Sequence, residues 1–553
     1  MSQATLDRRA LAYKANQTRK RVRRNLRLSP PLMRIWNGNW DLRGVLASEY
    51  KANFEFVQND SGTAVTEIPA DHYLAQWIYR VDERQYKNVH ITMDKDGARW
   101  GGRLKDFTVR KDANGLVTLV VRWMHDYEDL KFIQIWSNPF LPAAVQFPRV
   151  FTLAGPARWC LKLALLLNVM RLESSLWALP DDPLDPAQWF NFNQDTWPMV
   201  VKPGSLIDDL NDGILWAVPS SRWKTFHDMA KMTLEDAELM IETRRYIASD
   251  DEQPIPGQNL RNGCLVIDIV NKSGRFTATS TGGNLATGLR RTVDNFLEGF
   301  VETSSTLLTG GSTSPDYMVP GKLNTDREWP YAVYIEDETT GIETSDFTWS
   351  AATAAQVNTG GHSAPGVNEA ISSSIQLVGD ILGNLFQVGS IGGSADTLLA
   401  PLYTDTLLSW MSVKLPARAL AAGWSHYHEF FQPGADKAYT IASLMVLRAG
   451  FWATRSQFSH QINVSDGAPY LIGENGLGHF FLGDRVGATV AGDTSGRVYV
   501  DRVTKLVLAW DRNTAPEWQI TIGNNKALVD PVAKAFEQIE MIRSDMHDQG
   551  VMF

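Results

Sequence analysis

Apolar and polar residues alternate along two stretches near opposite ends of the chain, and this alternation restricts both stretches to β-structure. In the first, residues 33–150, one face of a strand would carry Val117, Leu119, Val121 and Trp123. Successive side chains of a strand point to opposite faces, so a period of two indicates a half-buried strand. The second stretch, residues 415–527, contains strand-like segments at Arg497–Trp510 and Glu517–Ile522. We therefore predict two β-rich domains.

Residues 151–260 between them have a different character and are predicted to form a helical region. Trp159–Leu179 is long, apolar and rich in helix formers. Its length is close to that of a membrane span, but Lys162, Arg171 and Glu173 interrupt it. Charged side chains are costly in a bilayer, so we interpret this segment as a buried core helix.

A second helix is predicted at Asp228–Ser249, where Thr233 and Asp236 resemble a capping pair that opens a helix. Residues 261–340 are assigned to an α+β region, and residues 528–553 to an amphipathic C-terminal helix. At 553 residues the chain is too long for one ordinary core. The predicted fold class is thus α+β and multidomain, with a helical middle region.

Residues 341–414 are predicted to be an insertion that is rich in glycine and serine and contains an apolar part. Residues 367–411 include acidic side chains but no lysine or arginine. Five apolar residues of this part recur at the spacing of one helix face and would form an apolar stripe, namely Ile371, Ile375, Val378, Leu382 and Phe386. Such a stripe is typical of a core or subunit-packing helix. A segment that inserts into a membrane is the alternative.

Residues 1–32 are predicted to form a basic N-terminal arm. Its first 28 residues carry nine basic side chains and one acidic side chain. The whole chain has a net charge of −9, so the other 525 residues carry −17. No apolar run follows the basic start, and we expect no signal peptide. The arm is either a solvated helix, a nucleic-acid ligand, or a segment that docks on an acidic partner through Arg19, Lys20, Arg21, Arg23 and Arg24.

We predict no catalytic, cofactor-binding or metal-binding residues. Two cysteines exclude a disulfide scaffold and a four-thiolate zinc site. The nearest approach to a metal motif is His426-Tyr427-His428-Glu429, but two histidines do not complete a site. The glycines at 473, 476 and 478 do not match the spacing of a phosphate loop, and they favour turns instead. Many carboxylates could be paired as in a glycosidase, and the sequence selects no pair.

Two segments resemble a known family. The opening of the first β-rich stretch, RIWNGNWDLRGVL from Arg34, is similar to the start of tail-tip hub proteins of long-tailed phages. The stretch Ala421–Asn525 contains AAGWSHYHEFFQPGADKAYT, YLIGENGLGHFFLGDRVGATV and RVYVDRVTKLVLAWDRNTAPEWQITIGNN. It resembles the minor tail proteins, or baseplate hub proteins, of phages that infect mycobacteria and related actinobacteria. Residues 303–411 have no counterpart in this resemblance.

The resemblance implies a structural virion protein at the tail tip, made in the host cytoplasm. Hubs of this family are homotrimers with β-barrel-like domains. They join the distal tail ring to the central fibre or spike and meet the C-terminus of the tape measure protein. They close the tail channel and open it for DNA ejection, so genomic DNA is a partner only in transit. The 19 tryptophans would suit large interfaces. A tail-borne cell-wall hydrolase and a carbohydrate-binding adhesin of the host surface are the alternatives.

Overall fold

The computed structural model describes residues 29–272 except 149, then 305–307, 332–336, 342–360, 410–432 and 446–523, the last range with gaps at 449, 452, 465–466 and 494–496. Short helical pieces of the basic arm are described at residues 13–14, 17–18, 21–22 and 25. The stripe from Ile371 to Phe386 and the predicted C-terminal helix lie outside the described residues.

A 14-stranded sheet is built from both ends of the described chain. The N-terminal part contributes β1 (Leu32–Asn37), β2 (Leu42–Leu46), β3 (Lys51–Val57), β4 (Thr63–Pro69), β5 (Val89–Lys95), β6 (Ala98–Lys111) and β7 (Val117–His125). The short helix α1 (Tyr73–Tyr79) and a 3-10 turn, Val81–Glu83, connect β4 to β5.

The middle of the chain supplies a second layer. Its elements are a 3-10 segment at Asp126–Phe132, β8 (Phe151–Thr152), β9 (Gly155–Pro156), α2 (Ala157–Glu173), 3-10 turns at Pro186–Gln188 and Gln194–Thr196, β10 (Met199–Val201), α3 (Leu206–Asn211), β11 (Trp216–Ala217), β12 (Ser220–Ser221), α4 (Phe226–Asp236), β13 (Leu239–Arg245) and β14 (Leu265–Asn271). A three-stranded sheet runs in the order β10-β14-β13, and α2 and α4 share a buried apolar core with it.

The C-terminal part returns to the large sheet. Its elements are β15 (Ser305–Leu307), β16 (Val333–Tyr334), β17 (Ile342–Ser350), β18 (Gln356–Gly360), β19 (Trp410–Lys414), α5 (Pro416–Ala422), β20 (Glu429–Phe431), β21 (Gln457–Val464), β22 (Arg485–Thr489), β23 (Arg497–Asp511) and β24 (Glu517–Gly523). The large sheet runs β17-β21-β24-β23-β3-β4-β7-β6-β5-β1-β2. Outside this order, β15 and β22 pair with β23, and β16 pairs with β22. A separate small sheet has the order β19-β18-β20.

The large sheet is strongly curled. Two strands, β4 and β7, separate β3 from β6, and three strand spacings in a flat sheet amount to about 14 Å. Nevertheless Trp100 on β6 donates a hydrogen bond from its indole Nε1 to the backbone oxygen of Glu55 on β3, at 2.8 Å. The rings of Trp100 and Phe54 also meet edge to face, with centroids 5.2 Å apart. These contacts place the aromatic core on the concave face, as in a partial barrel.

The mixed α+β class is confirmed. Antiparallel pairing joins β3 to β23, with Phe54 opposite Leu508, so the two β-rich stretches meet in one sheet. The pairing buries Ala52, Phe54 and Phe56 from one stretch and Leu506, Leu508 and Trp510 from the other in a common core. The domain limits at 33–150, 151–260, 261–340, 341–414 and 415–527 stay predictions.

The two predicted helices have different outcomes. The buried core helix is confirmed as α2, although it ends at Glu173 and not near Leu179. The helix expected at Asp228–Ser249 is wrong in extent: α4 starts at Phe226, ends at Asp236, and is followed by strand β13. Glu238 has φ 52°, a left-handed conformation that reverses the chain between the two. Among the helices of the described part, none combines the length and the apolar content needed to cross a bilayer.

Candidate functional site

A buried charged junction lies where the middle layer meets the large sheet. Arg245, at the end of β13, donates to both carboxylate oxygens of Asp126, from Nη2 at 2.8 Å and from Nε at 3.0 Å. The two side chains are only 4% and 2% exposed. Burial alone would raise the pKa of Asp126, but the Arg245 guanidinium outweighs burial and holds that pKa below its usual range. This pair is therefore ionised and closed to solvent.

The junction continues through charged residues of β1, β5 and β6 and through two aspartates of the segment that follows β13. Asp94 accepts from Arg34 at 2.6 Å and from Arg99 at 2.5 Å. Asp250 then bonds Arg34 at 2.5 Å, and Asp251 pairs with Arg99. Clusters of buried carboxylates often mark active sites. Here each of these carboxylates already accepts from a guanidinium, so the junction is interpreted as structural.

A second set of charges joins the middle layer to the C-terminal strands. Arg485 on β22 donates to both oxygens of Glu238, at 2.6 and 2.7 Å, where both side chains are buried. Lys272 donates to Asp484 at 3.0 Å. Burial raises the pKa of nearby Glu474 to about 7, and the carboxylate of Glu242 adds to the rise. Glu474 thus titrates close to neutral pH.

The glycine-rich segment at 473–478 forms a turn, as predicted. The turn lies on the β5–β6 hairpin: Glu474 N donates to the backbone oxygen of Asp96, and the Asn475 amide donates to that of Gly97, both at 3.0 Å. Gly476 has φ 79°, a conformation that favours glycine. A Cβ on Gly478 would lie 2.3 Å from the Gly473 nitrogen, so close backbone packing requires this glycine. The role of the segment is packing against the hairpin.

The histidine cluster follows α5 and runs into β20, with His428 exposed and His426 half-buried. The rings of His426 and His428 have centroids 5.2 Å apart. Glu429 accepts hydrogen bonds from the amides of Gln356 and Asn358. Within the described ranges, no three His, Cys, Asp or Glu side chains come together in a way that could hold a metal ion. Cys160 and Cys264 are buried free thiols whose pKa burial raises to about 12, so both are poor nucleophiles.

A shallow cleft beside the first hairpin is lined by Arg34, Trp36, Trp40 and Asn262, with a volume of about 410 Å³. Its polar and aromatic side chains already contact other residues of the protein. The Trp40 ring stacks on His90 at 4.6 Å and meets the Arg245 guanidinium at 4.8 Å. The amide of Asn262 donates to the Trp40 backbone oxygen. These contacts make the cleft a poor site for a sugar, which needs a free aromatic face.

The segment that follows α2, residues 174–197, is an ordered loop that we call the aromatic loop. Prolines at 180, 183 and 186 prevent a continuous helix. Asp182 and Asp185 each accept a backbone N–H two residues ahead, at 3.0 Å. The indoles of Trp189 and Trp197 donate to backbone oxygens within the loop, at 3.1 and 3.0 Å. Its shape is thus set by its own hydrogen bonds.

The aromatic loop presents apolar and acidic side chains to solvent. Leu184 is 91% exposed. Five other large apolar residues of the loop are exposed, namely Trp177, Leu179, Trp189, Phe190 and Phe192. The loop contains four aspartates, Asp181, Asp182, Asp185 and Asp195, and no lysine or arginine. An exposed apolar patch on an ordered loop marks an interaction site, so this loop is the strongest docking surface among the described residues.

A second exposed apolar group follows α5 and includes Leu420, Trp424 and Tyr427. Trp424 is 95% exposed. Gly423, which ends α5, has φ 84° and turns the chain outward before Trp424. This group is a smaller candidate interface.

The predicted docking residues fall mostly outside the described part. Arg21 is described, and it is helical and exposed. Arg19, Lys20, Arg23 and Arg24 lie outside the described residues. The sequence-based predictions do not include the aromatic loop as a docking surface for a protein, although its lack of basic residues and its many tryptophan, phenylalanine and aspartate residues are a signal for one.

Comparison with known proteins gives consistent matches along the chain. The family model described as Siphovirus ReqiPepy6 Gp37-like protein matches residues 32–524, from the start of β1 to just past β24. Minor tail protein Gp28 of Mycobacterium phage D29 is 34% identical, with 97% of each chain covered. Minor tail protein Gp28 of Mycobacterium phage L5 is similar to the same extent, 34% over 97% of each chain.

Among solved structures, a tail protein from Neisseria meningitidis MC58 is similar at 9% identity and a TM-score of 0.40. The match covers 90% of this chain and 98% of that chain.

Proposed function

The chain belongs to the Siphovirus ReqiPepy6 Gp37-like family of phage minor tail proteins, and on this premise we propose that it forms the hub at the tip of the tail. Three copies surround the tail axis. The trimer joins the distal tail ring to the central fibre or spike and meets the C-terminus of the tape measure protein. The role is structural and not enzymatic.

The observation that carries this proposal is the 34% identity to minor tail proteins over 97% of the chain. A match over such a length spans the elements of both the large sheet and the middle layer. The curled sheet supports the proposal, because a curved wall of strands is a suitable module for a ring around a channel. The exposed apolar groups on the aromatic loop and after α5 provide surfaces for neighbouring tail proteins.

The negative net charge of the chain outside the basic arm is compatible with the passage of DNA through the hub. Outside the basic arm the chain carries −17. An acidic channel wall does not retain phosphates, whereas a basic wall would bind them by releasing counterions. The hub closes the channel before infection and opens it when the tail contacts the host. A shift between two packed arrangements of the three subunits would serve as the gate.

Loss of the chain from the virion tests this role. A nonsense mutation in its gene should give particles with filled capsids whose tails lack the tip and do not infect. Supplying the wild-type chain in trans should restore the tail tip and infectivity. Intact tips in the mutant would contradict the proposal.

A zymogram of the purified full chain on host envelope tests the non-enzymatic part separately. We expect no clearing, and a clear zone would favour a cell-wall hydrolase.

A further inference from the structure

We propose that the aromatic loop of one copy binds the basic arm of a second copy. The inference deepens the proposed function, on which it rests, because it requires several copies in one assembly. It assigns a receiving surface to the arm and an occupant to the loop.

Charge complementarity is the first argument. Residues 174–197 have four aspartates and no basic residue, whereas residues 1–28 have nine basic residues and one acidic residue. Asp181 is exposed, and its negative charge also affects the nearby Glu173. Burial, and then the charge of Asp181, raises the pKa of Glu173 at the end of α2 to about 7. A dense cationic segment is the partner that such a surface fits.

The exposed aromatic rings supply the second argument. A guanidinium is attracted to the face of tryptophan, tyrosine or phenylalanine, and this protein uses that contact repeatedly. The guanidinium carbon of Arg171 lies 4.1 Å from the Trp136 ring centre, and that of Arg512 lies 3.6 Å from the Tyr50 ring centre. The arm contains seven arginines among its nine basic residues. Arginines beside tryptophan and phenylalanine at the loop would extend the same contact across an interface.

The loop is prepared for binding before a partner arrives. Asp195 accepts from Asn259 N at 2.9 Å, and Gln194 accepts from the Gln258 amide at 2.9 Å. These bonds fix the loop to the segment before β14. A surface that is ordered in advance loses little entropy on binding, which favours a stable complex.

A second copy is the source of the arm. The structure describes seven of residues 1–28, namely Tyr13, Lys14, Gln17, Thr18, Arg21, Val22 and Asn25, and all seven are exposed. Twenty-eight residues span about 42 Å even at the rise per residue of a helix. The arm of one chain is thus available to another.

Site-specific photo-crosslinking tests the inference. A photoreactive phenylalanine analogue replaces Leu184 in the full chain, or Phe192 in a second version, and Trp424 in the control. The purified protein and intact virions are irradiated. Products at twice the chain mass are then digested and mapped by mass spectrometry. We expect positions 184 and 192, but not 424, to link to peptides within residues 1–28.

Neutralising the arm provides the matched comparison. The variant carries Arg19→Gln, Lys20→Gln, Arg21→Gln, Arg23→Gln and Arg24→Gln. Since several exposed charge pairs are lost together, the yield of linked product should fall about fivefold or more. Links to another region or another protein, links only within one chain, no links in either sample, or an unchanged yield would each overturn the inference. If tails still require the chain in any of these cases, the proposed function stands without it.

Discussion

At the scale of residues, the charged junction is the feature on which the packing of the middle layer depends. Arg245 and Asp126 are 119 positions apart in the chain. Removing one partner leaves a buried charge without compensation. We expect Arg245→Met to lower the free energy of unfolding by about 3–5 kcal/mol.

The exposed pair Arg122–Asp106, whose side chains are 49% and 42% exposed, is the matched control. Arg122→Met should change the free energy of unfolding by about 0–1 kcal/mol, because solvent screens the pair. Urea unfolding followed by tryptophan fluorescence measures both variants. Equal effects would show that the junction contributes no more than a surface contact.

Glu474 should make stability depend on pH near neutrality. Its pKa is about 7 in the folded chain, against 4.5 for a free glutamate. Between these values the unfolded chain has lost the proton that the folded chain keeps. The stability that this group contributes is therefore complete below pH 4.5 and is lost as pH rises through 7.

The Glu474→Gln side chain is neutral at every pH, so at pH 4 this variant should have the same free energy of unfolding as the parent protein. At pH 8 it should be more stable by about 1–2 kcal/mol, a value reduced for partial exposure. Thermal or urea unfolding at the two pH values measures the difference. If the stability of the variant changes with pH as that of the parent does, Glu474 is not the group that causes the pH dependence.

At the scale of elements, the sequence predicts that a helix forms near α4, but it does not predict the residue at which α4 starts. The helical pattern predicts the element, but it places Thr233 and Asp236 at the start of the helix. In the structure Thr225 is the cap: its hydroxyl accepts from Asp228 N at 3.1 Å, and Thr233 lies near the end. Both positions carry a threonine with an acidic residue three positions later, so local sequence alone did not distinguish them.

Thr225→Ala should therefore lower the free energy of unfolding by about 1 kcal/mol, as is usual for a lost helix cap. Thr233→Ala is the control and should change it by less than about 0.5 kcal/mol. Denaturant unfolding of both variants makes the comparison. A larger cost at Thr233 would contradict the observed start of α4.

Strand positions were more predictable than strand partners. The expected strands at Arg497–Trp510 and Glu517–Ile522 agree with β23 and β24 because apolar alternation is a local signal. The pairing of β3 with β23 joins residues more than 400 positions apart, and no local pattern specifies it. Likewise, composition alone could draw attention to the aromatic loop, but only the folded structure shows that six of its large apolar side chains are exposed to solvent.

At the scale of the whole molecule, both ends of the described chain meet in one curled sheet, and ion pairs such as Arg99–Asp251 and Arg485–Glu238 join the middle layer to it. The exposed aromatic loop projects acidic and apolar side chains to solvent, and residues 1–28 carry the opposite charge. A chain with such complementary segments is suited to assembly with copies of itself. The trimeric hub is the form of assembly proposed for this family member.

A reconstruction of the tail tip by electron cryomicroscopy tests the central proposal most directly. The account predicts three copies of this chain around the tail axis, below the distal tail ring, with their curled sheets around the channel. Density for the chain on lateral fibres, or copies in a number other than three around the axis, would contradict it.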